Sequence, residues 1–313
     1  MAGLRVTLPQ REELVHEHPC WFKPIYYASY VEPIKDALHA VGVDVEPAGR
    51  EERGVILRFE WPDGVRVAAI VDYADQVHID GLVKYASGDF DFVFKMKPCE
   101  RFAAEYDIYP QRVHPWGYLI APANSGDPEE CNADRAWFHA NLVALRRMQE
   151  KRLQGASDFT GATLLTRGAY HAMHHCERRR NFFDESLFQG EKTERSFKEH
   201  IGDLARSGAM LNLCGPDVTI DRKVVEACAI GVPLVSDDGL RDLRLPWGKR
   251  FVHGENVWFV ENVAQVKVIA RDGLPEDLRR KLSAGGRELY DACFAPIAIG
   301  QWMLQVAREE ACR

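Results

Sequence analysis

The chain has 313 residues and carries 40 Lys and Arg against 47 Asp and Glu, a net charge of −7 with His neutral. At roughly 150 residues per domain this length predicts about two domains, and a composition 46% hydrophobic and 28% charged excludes a largely disordered chain. The acidic balance excludes bulk nucleic-acid binding on a broad basic face, but it leaves room for a local basic pocket around a small anion.

Strand-like and helix-like segments alternate through the first half. Residues 4–8 form a short apolar run, and residues 30–41 carry helical spacing (Val31, Ile34, Leu38, Val41) that stops at Gly42. Residues 55–61 and 65–71 read as paired strands joined by the turn Pro62-Asp63-Gly64. A helix is expected over 77–86, then strands over 90–97 and 113–120. Residues 122–134, rich in Pro, Asn, Ser, Gly and Asp, read as a loop before a helix over 135–154. Trp137, Leu142, Leu145 and Met148 lie near one face of that helix.

A linker over 155–158 opens a second unit, with a strand at 162–166, a helix at 170–178 and a polar, aromatic-dotted loop at 179–194. Next come a helix at 196–207, a strand at 209–213, a loop at 214–221, a helix at 222–230 and strands at 233–236 and 257–260. Residues 275–313 are expected to be helical, with an interruption around 294–300. Strands alternating with helices favour α/β domains with mainly parallel sheets. Two units, 1–154 and 155–313, are the expected division.

No run of about 18 uncharged apolar residues occurs, so no membrane-spanning helix is expected, and at most peripheral membrane contact. Arg11, Glu12 and Glu13 follow residues 1–10 too closely for a secretory signal. Cys20, Cys99, Cys131, Cys176, Cys214, Cys228, Cys293 and Cys312 are scattered without a C-x-x-C pair, which fits free thiols in a cytoplasmic protein.

The nucleotide fingerprints G-x-G-x-x-G and G-x-x-x-x-G-K-[ST] are absent, as are G-x-S-x-G and H-E-x-x-H. The informative stretch is 209–238: a strand, a loop through Gly215 and Pro216, a helix start, and a small-residue turn into another strand. A loop that leaves the carboxyl end of a parallel strand and enters a helix is where α/β sheets take phosphate-bearing ligands. Arg222 and Lys223 add charge for a diphosphate there, and Glu226 is placed to accept hydrogen bonds from ribose hydroxyls.

The pattern Arg-Lys-x-x-Glu-Ala-x-Ala-x-Gly-x-Pro-Leu-x-Ser-Asp, from Arg222 to Asp237, resembles the nucleotide-sugar site of GT-B glycosyltransferases. The nearest subgroup is the spore-maturation-protein-like and family-4-like transferases. The upstream segment 206–216 is similar to the strand and loop before that helix, while Val71-Asp-Tyr-Ala-Asp75, Phe92-Val-Phe-Lys95 and His114-Pro-Trp-Gly117 resemble the N-terminal domain faintly. The resemblance implies two Rossmann-like α/β domains facing across a cleft, with the donor on the C-terminal one. It also implies that a last helix, about 298–310, packs back on the N-terminal domain. Glu226 would hold the donor ribose, and Gly231 and Pro233 would shape the turn. Many retaining members carry a second Glu eight positions earlier; here that position is Val218, with Asp217 out of register, so inversion and retention both stay open.

Other candidates have plainer alternatives. Glu226 has the alternative of a solvated charge near a helix start, and Arg222 and Lys223 that of a surface pair, although cations at a helix start call for a compensating anion. Gly161, with Thr160 and Ala162, and Arg167 form a second candidate phosphate-facing loop, against the alternative of a linker turn. His171, His174 and His175 have helical spacing but no Cys or carboxylate to complete a metal set, so no metal site is expected. Arg178, Arg179 and Arg180 read as a solvated patch or a contact to an anion. Asp72 and Asp75, at the carboxyl end of a strand, are the candidate general bases for an acceptor hydroxyl, with His16, His18 and His78 as rivals. Trp21, Phe22, Tyr26, Tyr27 and Tyr30 are candidates to stack on a sugar, or core.

The expected function is therefore metal-independent transfer of a sugar from a UDP- or GDP-linked donor to a carbohydrate or other hydroxyl acceptor, with no bound cofactor beyond that co-substrate. A non-catalytic nucleotide- or sugar-binding protein of the same fold is the alternative. An α/β oxidoreductase needs a glycine fingerprint that is absent.

Overall fold

The structure is a computed structural model that describes residues 3–14, 24–50, 52, 54–72, 90–95, 112–117, 128–155, 161–166, 182, 196–214, 220 and 222–313. The chain is α/β and divides into two compact units. The first comprises Met1–Asn132, Arg244–Lys249 and Ala292–Arg313; the second comprises Ala133–Leu243 and Arg250–Asp291.

The first unit holds a six-stranded sheet built from β1 (Arg5–Leu8), β2 (Val45–Pro47), β3 (Ile56–Glu60), β4 (Arg66–Asp72), β5 (Phe92–Lys95) and β6 (Arg112–Pro115). The order is β2-β1-β3-β4-β5-β6. Pairings β1/β2, β4/β5 and β5/β6 are parallel, whereas β1/β3 and β3/β4 are antiparallel, so this sheet is mixed. The cause is local. Pro62-Asp63-Gly64 makes a turn too short for a crossover, so β3 and β4 must pair as a hairpin. Asp63 Oδ1 accepts from the Val65 amide at 3.2 Å, and the Arg308 guanidinium donates to Oδ2 at 3.0 Å. Those hydrogen bonds, Arg308 foremost, hold the Asp63 carboxyl below its ordinary pKa.

α1 (Pro24–His39) buries Val31, Ile34 and Leu38, as its spacing requires. It packs against a C-terminal helix, Pro296–Ala311, that belongs to this unit. That helix is held to β6 by the Trp302 indole donating to the Pro115 carbonyl at 2.6 Å and by Glu310 Oε1 at 2.9 Å from His114 Nε2. Gly300 sits where the two helices touch: a Cβ there would run into the Ala37 carbonyl.

α2 (Pro128–Leu153) begins inside the segment expected to be a loop. Pro128 suits the first helical position, and Glu129 and Glu130 in the first turn favour the positive end of the dipole. The first boundary between the units falls at Asn132/Ala133, within this helix.

The second unit contains α3 (Phe197–Arg206), β7 (Met210–Asn212), α4 (Arg222–Ile230), β8 (Leu234–Ser236), β9 (Trp258–Phe259), α5 (Val263–Asp272) and most of α6 (Glu276–Cys293); α7 is the Pro296–Ala311 helix already described. Its sheet, β7-β8-β9, is wholly parallel, and of the expected strand at 162–166 Leu165 forms a bridge to Met210. Leu164, Leu211, Leu213, Val235, Val266 and Leu282 are central to its core. The expected helices at 77–86 and 170–178 lie outside the described residues.

Replacing Gly300 by Ala forces α1 and α7 apart and is expected to cost about 1–3 kcal/mol, read as a lowered urea midpoint. Cys293 is buried against the Pro246 carbonyl, and that burial pushes its thiol up from 9.0 to about 12, with Lys249 opposing weakly. The folded state therefore favours the neutral thiol, and this contribution to stability is lost as pH rises from 9.0 to about 12. Exposed Cys312 is expected to be alkylated in the native protein well before Cys293, which reacts on unfolding, as peptide mass analysis would resolve.

Candidate functional site

The turn that ends α4 is set by backbone geometry. The Val232 amide donates to the Ala227 carbonyl at 2.8 Å and the Gly231 amide to the Cys228 carbonyl at 3.2 Å, which is the Schellman arrangement. Gly231 adopts φ +89°, where a side chain is strained, and Ser283 and Arg287 cover the place a Cβ would occupy. Pro233 then blocks helix continuation and leads into β8. At the same helix end, Arg146 from α2 donates from Nε to the Ala229 carbonyl at 2.7 Å. It supplies the cation that the last turn of α4 lacks.

The carboxyl ends of β7 and β8 are tied by a buried network. Asn212 Nδ2 donates to Ser236 Oγ at 3.1 Å. Asp237 accepts from the Cys214 amide at 3.0 Å through Oδ2 and from the Gly239 amide at 2.9 Å through Oδ1. The Ser236-Asp237 pair thus clamps the loops leaving two adjacent parallel strands.

Glu226 lies on the inner face of α4 and is fully buried, so the solvated-charge alternative is excluded. Its Oε2 is 3.1 Å from His200 Nε2, and its Oε1 is 2.8 Å from Arg222 Nε. His200 is the fourth residue of α3, whose start is fixed by a capping box: the Ser196 amide donates to Glu199 Oε2 at 2.9 Å and the Glu199 amide to Ser196 Oγ at 3.3 Å. The same cap places Phe197, over whose ring the Arg222 guanidinium lies at 5.6 Å. Trp137 meets Phe197 edge-on, and Lys198 Nζ lies 5.7 Å from the Trp137 ring centre. An ionised carboxylate only accepts, so the His200 tautomer that hydrogen-bonds it is the one with the proton on Nε2. His200 and Phe197 were not singled out from the sequence. The available signal was a His in register with Ile201, Leu204 and Ala205 on the buried face of an amphipathic helix.

The structure brings Arg222 and Glu226 together, with half-buried Lys223 beside them at the start of α4. Gly161 stands at the amino side of the Leu165 bridge, where a Cβ would strike the Arg206 carbonyl at the end of α3. Gly215, Pro216, Arg167 and Asp75 lie outside the described residues, as do His16, His18, His78, Thr160, His171, His174, His175, Arg178, Arg179, Arg180, Trp21 and Phe22 and the side chains of Tyr26, Tyr27 and Tyr30.

In the first unit Asp72 ends β4, and its register partner Lys95 ends β5. Lys95 Nζ donates to Asp72 Oδ2 at 2.9 Å, with both side chains fully buried. Among the described residues no group of three or more His, Cys, Asp or Glu is arranged to hold a metal, and no helix is long and apolar enough to cross a membrane. No protein-family model matches the chain, and no curated protein matches it.

Lys95→Met removes the cation bonded to the buried Asp72 carboxylate and is expected to cost about 3–5 kcal/mol by urea denaturation. Adding Asp72→Leu is expected to recover part of that loss, because an apolar pair carries no desolvation cost; a double variant as unstable as the single one would contradict this.

Proposed function

We propose that the chain is a GT-B-type glycosyltransferase, with the nucleotide-sugar donor bound by the second unit and the acceptor by the first. The observation that carries the reading is the fully buried Glu226 carboxylate on the helix that follows β7, with Arg222 at that helix start. A carboxylate so placed suits the two hydroxyls of a ribose. The cations at the start of α4 suit the diphosphate that follows it, where helix amides also point. The pattern from Arg222 to Asp237 supports the same assignment.

Transfer of this kind passes through an oxocarbenium-like state, in which the bond to the leaving diphosphate is largely broken before the acceptor oxygen bonds. The first need is stabilisation of the departing charge. Arg222, Lys223 and Arg167 with the α4 amides are assigned to it, which makes the reaction metal-independent. The second need is a base for the acceptor hydroxyl, assigned to Asp75 or Asp72. Lys95 already occupies one oxygen of Asp72, which favours Asp75. UDP- and GDP-linked sugars are the proposed donors, a carbohydrate or other hydroxyl compound the acceptor, and the cytoplasm the location.

Thermal unfolding with UDP, GDP, CMP and TDP tests the donor site. One diphosphate is expected to raise the midpoint, by about 2.7 kcal/mol of stabilisation at a hundred times its Kd, and Glu226→Ala is expected to abolish the shift. Slow hydrolysis of the matching sugar nucleotide then identifies an enzyme, whereas binding without turnover identifies a nucleotide-binding protein. No response to any nucleotide overturns the reading.

A further inference from the structure

Glu226 has no exposed surface, yet a ribose must reach one of its oxygens if the donor reading holds. Among the described residues, His200 and Arg222 face it from different elements. His200 faces Oε2 from the capped helix α3 and is itself 9% exposed, seated among Ile201, Leu204 and Ala205. Arg222 faces Oε1 from the first position of α4, is 13% exposed, and lies over the Phe197 ring. A guanidinium at the start of a helix sits against the positive end of the dipole. Glu226 offsets this within the structure, and a diphosphate at the same helix start would offset it too.

We infer that Arg222 exchanges partners when the donor binds: it leaves Glu226 Oε1 to a ribose hydroxyl and turns to the diphosphate, while His200 stays on Oε2 as a positioning residue. The inference rests on the donor-site reading above and adds to it the device that opens the carboxylate. Each charged group keeps a hydrogen-bonding or ionic partner at every stage. Before the exchange Arg222 neutralises Glu226. Afterwards Arg222 neutralises a phosphate, and Glu226 accepts from ribose hydroxyls and from the His200 ring N–H. No buried ion is left without a partner, which is the condition under which such a swap is feasible. His200 matters because a carboxylate released by Arg222 would otherwise be free to change rotamer as the ribose arrives.

Calorimetric titration of the full chain with uridine, guanosine, UDP and GDP tests this. Arg222→Ala uncovers Oε1, so the nucleoside that the wild type accepts is expected to bind roughly tenfold tighter, by removal of a competing closed state. The corresponding diphosphate is expected to bind roughly tenfold weaker, through loss of a charge-assisted contact. Arg222→Gln, which keeps the stem and removes the charge, gives the same opposed shifts if the Ala variant does not fold. His200→Ala is expected to weaken nucleoside and diphosphate alike, and His200→Gln, whose amide can donate to Oε2, to restore both. Diphosphate weakened with nucleoside unchanged or weakened in both Arg222 variants overturns the exchange, and absence of rescue by His200→Gln overturns the role of His200. Failure of wild type and all variants to bind any of the four ligands overturns the donor reading itself, and the exchange with it.

Discussion

A carboxylate without water needs its charge answered, and in the second unit this single condition organises the surroundings of α4. Glu226 is answered from two directions, by His200 of a neighbouring helix and by Arg222 one turn earlier on its own. Neither partner can be placed without fixing the helix that carries it. The capping box at Ser196 and Glu199 sets the start of α3, while the Schellman turn at Gly231 and the Arg146 contact to Ala229 set the end of α4. These features look like separate local devices. They converge because a buried ion tolerates little displacement of its partner: as a group moves away, attraction falls while the cost of desolvation stays.

The first unit solves a related problem in a different way. Asp72 and Lys95 end adjacent parallel strands in direct register, so the sheet itself sets their separation. Strand register is rigid, because slipping by one residue would turn every side chain to the other face. Arg222, by contrast, is a long side chain at a helix end, over an aromatic ring. The two ion pairs therefore differ in character: one is set by strand register, the other by side chains one turn apart on a single helix.

Much of this fold was legible in the sequence because period and punctuation agreed. Val31, Ile34 and Leu38 at helical spacing became the buried face of α1, and Pro62-Asp63-Gly64 between two apolar runs became the hairpin turn. Errors arose where composition and capping conflicted. Residues 128–134 look like a loop by content, yet Pro128, Glu129 and Glu130 are also what a helix start prefers, and the helix begins there. The site was legible only along the chain. Arg222 and Glu226 are one helical turn apart and were found together, whereas His200 comes from a separate helix, and no local pattern distinguishes it from a core histidine. Lys95 was likewise invisible as a partner, since register between β4 and β5 depends on a crossover rather than a turn.

The segment from Arg222 to Asp237 mixes residues that build with residues that bind, and the structure separates them. Gly231 and Pro233 make the turn out of α4, Ser236 accepts from Asn212, and Asp237 ties two loops together. Any chain that sends a short helix from one parallel strand to the next faces these demands, whatever it binds, so these positions carry evidence of fold rather than of substrate. Glu226 is different. Nothing about ending a helix or joining two strands calls for an acid at the centre of the buried face of α4, where an apolar residue would carry no desolvation cost. An acid kept there beside His200 and Arg222 carries a desolvation cost that the fold does not require. That is the strongest reason for centring the proposed donor site on Glu226 rather than on the glycine and proline that make the segment recognisable.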